Sequence, residues 1–314
     1  MEDACTRDFS AFTRDRIKPV VDGVMARKRR SLFTSLAAAA GTFLLCAVGV
    51  YIFLIPYRQL MQDHNVTYWP LLIFAPLSLA MVIFCLVYIL SLRGAVSQFR
   101  TALIDRMAEF IHPGLVHDAG RELSREERAL APLSLVDGEP VAGSDQFRGQ
   151  IDGVAVRLHD LRCLGGSGGE GGKKNARSGL YFHASFARPF AAPVVMLPEN
   201  AGTTPPVGEL TCFDDAAHGR RLFAPAGDGD FARRLLSGEI LDCLESLRRQ
   251  RGTELFLACD GNVLRMALLT RTGRRELPGG FDGFDFGHCR EFCLDAALCL
   301  AVSRDLAGRA DVWA

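Results

Sequence analysis

The sequence has no net charge to offer: 36 Lys and Arg balance 36 Asp and Glu, for a formal total of +0. A chain built to hold nucleic acid carries an excess of base, so no nucleic-acid partner is expected. Charge is absent altogether from two runs, 32–55 and 69–92, each 24 residues long. A helix rises about 1.5 Å per residue and the hydrocarbon core is about 30 Å thick, so each run can span a bilayer with some tilt. A signal peptide does not fit the first run, since its apolar core is usually about 7–15 residues near the chain start. The expected partner is therefore the lipid bilayer, crossed twice.

Basic residues are scarce between the two runs, where 56–68 holds only Arg58. They crowd the other ends: Arg27, Lys28, Arg29 and Arg30 abut the first span, and Arg93, Arg100 and Arg106 follow the second. Such residues stay on the cytosolic side during insertion, so both termini are expected in the cytosol with 56–68 as a short external loop. None of the ten cysteines falls in that loop, and no disulfide is expected in a reducing cytosol.

The remaining boundaries follow from composition. Residues 1–31 form a cytosolic amphipathic arm, interrupted by Pro19, that lies on headgroups or packs against the helix leaving the second span. Residues 93–146 are expected to form a juxtamembrane helix, ended by Pro113-Gly114, and a polar connector with some helix. Residues 147–314 form a cytosolic α+β domain. Strands are expected around 154–159, 180–186, 194–197, 221–224, 253–259 and 263–270, the last two joined at Asp260-Gly261-Asn262. Helices are expected at 231–250 and 288–307. The order lacks the regular strand and helix alternation of a doubly wound sheet, so the class is α+β.

No motif survives as chemistry. Gly166 to Gly171 matches a dinucleotide fingerprint but is followed by a strand rather than a helix, so its glycines have no helix N-terminus to present. Lys173 lacks the glycine and hydroxyl partners of a phosphate loop, and a floppy glycine tract cannot hold Ser167 as a nucleophile. His288, Cys289, Cys293 and Cys299 lack zinc spacing and sit among core residues. Asp214-Asp215 with His218, and His159-Asp160, are read as loop or strand-edge residues. A pocket gathering His159, His183 or His218 beside a carboxylate would instead point to acid–base work. No catalytic residue, metal or cofactor is assigned.

Several small signatures recur in order: Phe147-Arg148-Gly149, Gly179-Leu180-Tyr181-Phe182 with Phe186 and Phe190, 194–198, Asp228 with 232–236, 255–267 around Asp260-Gly261, and Trp313. With the arm and the hairpin they resemble the DUF3137 family of bacterial two-span membrane proteins. The resemblance implies the bacterial inner membrane and carries no catalytic residues. The expected role is a membrane-anchored, non-catalytic module that binds a protein partner. The alternative is lipid or small-ligand binding at the inner face, with Lys173, Lys174 and Arg177 on a mobile loop touching anionic headgroups. An enzyme is the remaining reading.

Overall fold

The computed structural model describes residues 9–62, 69–119, 123–129, 139–164, 177–198, 210–215, 220–237, 242, 244, 246, 252–270 and 286–314. The chain divides into two compact units. One is Arg14–Leu103; the other is Ile104–Ala314 together with the N-terminal residues up to Thr13.

From the single turn α1 (Phe9–Phe12), which belongs to the second unit, a π-helical segment Thr13–Ile17 leads into the first unit's α2 (Lys18–Gln62). The expected interruption at Pro19 is absent. The π segment lies just before a residue with no N–H to offer the preceding turn, so the helix passes through with its pattern widened rather than broken. Ser35 Oγ donates to Ser31 O at 2.8 Å and Thr42 Oγ1 to Ala38 O at 2.8 Å, so these hydroxyls are satisfied within the helix itself. Helix α2 continues through Gln62, past the expected start of the external loop at 56. The second long helix, α3 (Trp69–Ile111), continues through Pro76. Residues 63–68, which would turn one helix back on the other, lie outside the described residues. Among the described residues, one stretch, Phe9–Gly49, is long and apolar enough to cross a membrane, and a shorter apolar helix covers Leu77–Leu90. Arg27 Nη1 donates to Gln98 Oε1, linking the basic end of α2 to α3.

The second unit starts inside α3. Ile104, Met107, Ala108, Phe110 and Ile111 are buried, and Phe9 and Phe12 pack on Phe110 at 5.5 and 4.5 Å between ring centroids. Phe9 and Phe12, within the expected arm, thus pack against the end of the exit helix. His117 Nδ1 meets Asp105 Oδ1 at 2.9 Å with its side chain 2% exposed, fixing the first strand to the end of that helix.

Nine strands make one sheet: β1 (Leu115–Ala119), β2 (Glu139–Ile151), β3 (Val154–Leu164), β4 (Arg177–Ser185), β5 (Val194–Pro198), β6 (Leu210–Asp215), β7 (Arg220–Pro225), β8 (Thr253–Asp260) and β9 (Val263–Thr270). Their order is β1-β2-β3-β4-β9-β8-β5-β7-β6, and every neighbouring pair is antiparallel. Two tight turns set the register. Asp152 and Gly153 both take positive φ (50° and 82°) between β2 and β3, the pairing that matches strand twist in a two-residue loop. Between β8 and β9 the Gly261 φ is 56°, with Asn262 completing the loop.

Alternation along each strand sends side chains to two faces. One face carries Phe147, Leu158, Phe182, Met266 and Leu257 in a row of facing partners. It is covered by α6 (Phe286–Gly308), whose Phe292 packs 5.6 Å from Phe147. All of these are at most 3% exposed, and each such side chain contributes about 1.5–3 kcal/mol of burial. The opposite face has its own apolar cluster of Leu161, Tyr181, Val195, Leu197, Phe223, Phe256, Ala258, Ala267 and Leu269, joined by Leu123. Leu123 leads into the short helix α4 (Arg125–Ala129), which lies in the stretch expected as a polar connector.

The expected strands at 154–159, 180–186, 194–197, 221–224, 253–259 and 263–270 are all present. The connector is not featureless, since β1, α4 and the first half of β2 precede residue 147. β6 occupies a passage expected to be irregular. The expected helix 231–250 is interrupted: α5 (Gly229–Leu235) stops at Leu236, where the Arg309 guanidinium donates to Arg234 O at 2.7 Å and Ser237 O at 3.0 Å. Those are carbonyls that a continued helix would have used internally.

Candidate functional site

On the face opposite α6, the register brings four polar side chains into line across four adjacent strands. Arg148 of β2 faces Arg157 of β3, Arg157 faces His183 of β4, and His183 faces Arg265 of β9. The next row holds Gln146, His159, Tyr181 and Ala267. That row is the last before a β-bulge between Ala142 and Gln146, where four steps along β2 match two along β3. Gln146 Nε2 donates to His159 Nε2 at 2.8 Å, which leaves the imidazole proton on Nδ1. His159 and Tyr181 rings lie 6.2 Å apart.

Helix α4 delivers a carboxylate to this face. Ser124 and Glu127 form a reciprocal cap, Ser124 N donating to Glu127 Oε2 at 3.0 Å and Glu127 N to Ser124 Oγ at 3.1 Å. The second Glu127 oxygen accepts from Arg157 Nη1 at 3.2 Å. Burial pushes the Glu127 carboxyl up, but the Ser124 hydrogen bonds and the nearby Arg157 and His159 outweigh it and hold the group below the usual carboxylate range. Arg148 is paired with Asp118 of β1 at 3.5 Å. Arg265 has no carboxylate partner among the described residues.

The two central residues are tuned in opposite directions. Burial, then the Arg157 and Arg265 charges, pull His183 down to about 4, so it is neutral at pH 7. Burial pushes the Tyr181 phenol up to about 12, against the pull of Arg265 and Arg157, so it stays protonated. Tyr181 is 1% exposed, and its hydroxyl finds no hydrogen-bond partner among the described residues. Such a group ordinarily has one.

His159 and Asp160 are neighbours in sequence, but alternation sends His159 to the polar row and Asp160 to the α6 side, so they form no pair. Asp214 and Asp215 lie on β6, while His218 is outside the described residues. Cys289, Cys293 and Cys299 are buried on α6; burial raises the Cys293 and Cys299 thiols well above their ordinary range, which makes them poor nucleophiles. No group of three potential metal ligands occurs among the described residues. Arg177 lies on β4 rather than on a loop, in a mostly buried ion pair with Glu254 at 3.1 Å. Lys173 and Lys174 lie outside the described residues. Arg27, Lys28, Arg29 and Arg30 are on α2; Arg93 is on α3.

Arg157, Arg265, Tyr181 and Glu127 were not singled out from the sequence as site residues. Two signals were available: the Ser124-x-x-Glu127 capping box, and the Asp152-Gly153 turn, which fixes the β2–β3 register. No family model matches the chain, and no curated protein matches it. Among solved structures, the crystal structure of the mycobacterial trehalose monomycolate transport factor A, TtfA, is similar at 14% identity over 59% of this chain and 88% of that one, with a TM-score of 0.35. A likeness at that level assigns neither fold nor function.

Proposed function

We propose that this chain is a membrane-anchored, non-catalytic binding module whose sheet unit holds a small ligand on the cytosolic side of a bacterial inner membrane. The anchoring rests on where apolar surface is exposed. Among the described residues every exposed large hydrophobic side chain except Val116 and Phe286 lies between Met25 and Ile52 or between Leu77 and Leu90. Phe33, Leu45, Met81 and Val82 are each more than 60% exposed, a pattern that water penalises and lipid does not. The proposed arrangement is a two-span hairpin with both termini cytosolic, supported by the basic cluster Arg27–Arg30 and by Arg93.

The observation that carries the binding reading is the polar row itself, which crosses four inner strands two or three residues from their turn ends. His183 in that row and Tyr181 in the next titrate far from pH 7, near 4 and near 12, so they are built to donate hydrogen bonds rather than to shuttle protons at pH 7. This favours ligand binding over the protein-scaffold role expected first. The test is native mass spectrometry of the full-length protein, released in mild detergent from its own membrane. A small molecule or lipid held in fixed ratio supports the module. A bare protein that also fails to bind any member of a metabolite and lipid panel removes it.

A further inference from the structure

Resting on that reading, we propose that the row binds a phosphate-class oxyanion, gripped between Arg157 and Arg265 over His183, with the Tyr181 hydroxyl as a further donor. Arg157 and Arg265 flank β4, so their backbones are about 10 Å apart. Two guanidinium groups of that reach converge on one tetrahedral ion, and each offers a planar fork suited to its oxygens. Glu127 already engages Arg157, and Arg148 is engaged by Asp118. Arg265 is the guanidinium whose fork is uncommitted among the described residues. It is half-buried, facing Ala258 and two residues from Ala267 on the same strand face, where a charge is stabilised by an opposite charge more strongly than in open water.

The second, independent observation is Tyr181. Its hydroxyl is buried without a partner among the described residues, and both Arg157 and Arg265 act on it electrostatically, so it lies within the field of the same two cations. A phenol there donates to an oxyanion and gains the bond it lacks. His183, neutral and between the two arginines, adds a donor without adding charge. A carboxylate ligand would use one fork; an ion bridging two arginines with a phenol and an imidazole beneath it matches the three or four oxygens of phosphate or its monoester. The same chemistry is available from a free phosphate compound or from a phospholipid headgroup.

The test uses the full chain in maltoside micelles, which hold no phosphate, and reads the thermal midpoint at fixed ionic strength. Inorganic phosphate replacing chloride raises the midpoint of the wild type. Arg265→Gln and Tyr181→Phe weaken phosphate binding about tenfold or more, while Arg304→Gln, the same charge change at the Asp152 pair, leaves it intact. Tyr181→Phe keeps the ring, so it reports on the hydroxyl even if Arg265→Gln destabilises the fold. A rise with phosphatidylglycerol and none with phosphate, abolished by the same two variants, identifies a headgroup as the source. The proposal is overturned if neither anion stabilises the wild type, or if both variants respond as the wild type does. A neutral molecule co-purifying with the protein would sink this proposal and leave the binding module standing.

Discussion

At Gly179 a single methyl group is the whole argument. A Cβ built there would meet Leu268 O at 1.7 Å, inside the β4–β9 pairing, so nothing but glycine lets the two strands close. Gly179→Ala is expected to cost about 3 kcal/mol or to prevent folding, read as a lowered thermal midpoint or loss of soluble oligomer-free protein in detergent. Gly149 is similar, with a Cβ falling 2.2 Å from Gly114 O where β2 meets the approach to β1. Both glycines belong to the short signatures read from the sequence, which gives those patterns a steric reason. His183 supplies the pH dependence at this scale. Its pKa falls from the ordinary 6.5 to about 4 on folding, so between those values the unfolded chain binds the extra proton. Stability is therefore expected to decline as pH drops from 6.5 toward 4, and His183→Gln should flatten that part of a midpoint-versus-pH curve. Glu127 is depressed instead, so the stability it contributes is present above its ordinary 4.5 and is lost below that as the folded carboxyl protonates. The two windows separate the groups.

Helix α4 is too short to persist by propensity, and its capping box does two jobs: it closes the helix N-terminus and orients the carboxylate that holds Arg157. Ser124→Ala is expected to cost about 1 kcal/mol, measured by denaturant midpoint. Where Glu127 swings away, Arg157 is freed and phosphate affinity rises, the opposite of what a purely structural loss would give. Legibility in the sequence also divides by element. β3, β4, β5, β7, β8 and β9 were readable because strands paired on both sides carry dense apolar residues. β1, β2 and β6 were not: β1 and β6 are the two edges of the sheet, and β2, though paired on both sides, is mostly polar residues and glycine along Glu139–Ile151. An edge strand pairs on one side only and carries charge such as Asp118 or Asp214 to discourage further pairing, so its alternation fades. The site was illegible for a related reason. Arg157, His183 and Arg265 are brought into line by register alone, and register between distant strands leaves no local mark.

For the molecule as a whole, the two-span proposal makes an external prediction. Gln62→Cys is expected to react with a membrane-impermeant maleimide added to intact cells, whereas the native cysteines, including the exposed Cys212, react only after lysis. Labelling of the wild type from outside would reverse the orientation. The sheet order has a further consequence, in synthesis rather than in binding. β4 must wait for β9, and β5 for β8, because the hairpin Thr253–Thr270 is the seam between the two halves of the sheet. Until that seam leaves the ribosome, the nascent chain carries the open edges of β4 and β5, both rich in buried residues, and in the proposed two-span topology it does so beside a membrane already receiving its anchor. Under that topology a stalled or clipped chain lacking the seam is a sticky, half-built sheet tethered to the bilayer, and a substrate for chaperones and membrane proteases before it is anything else.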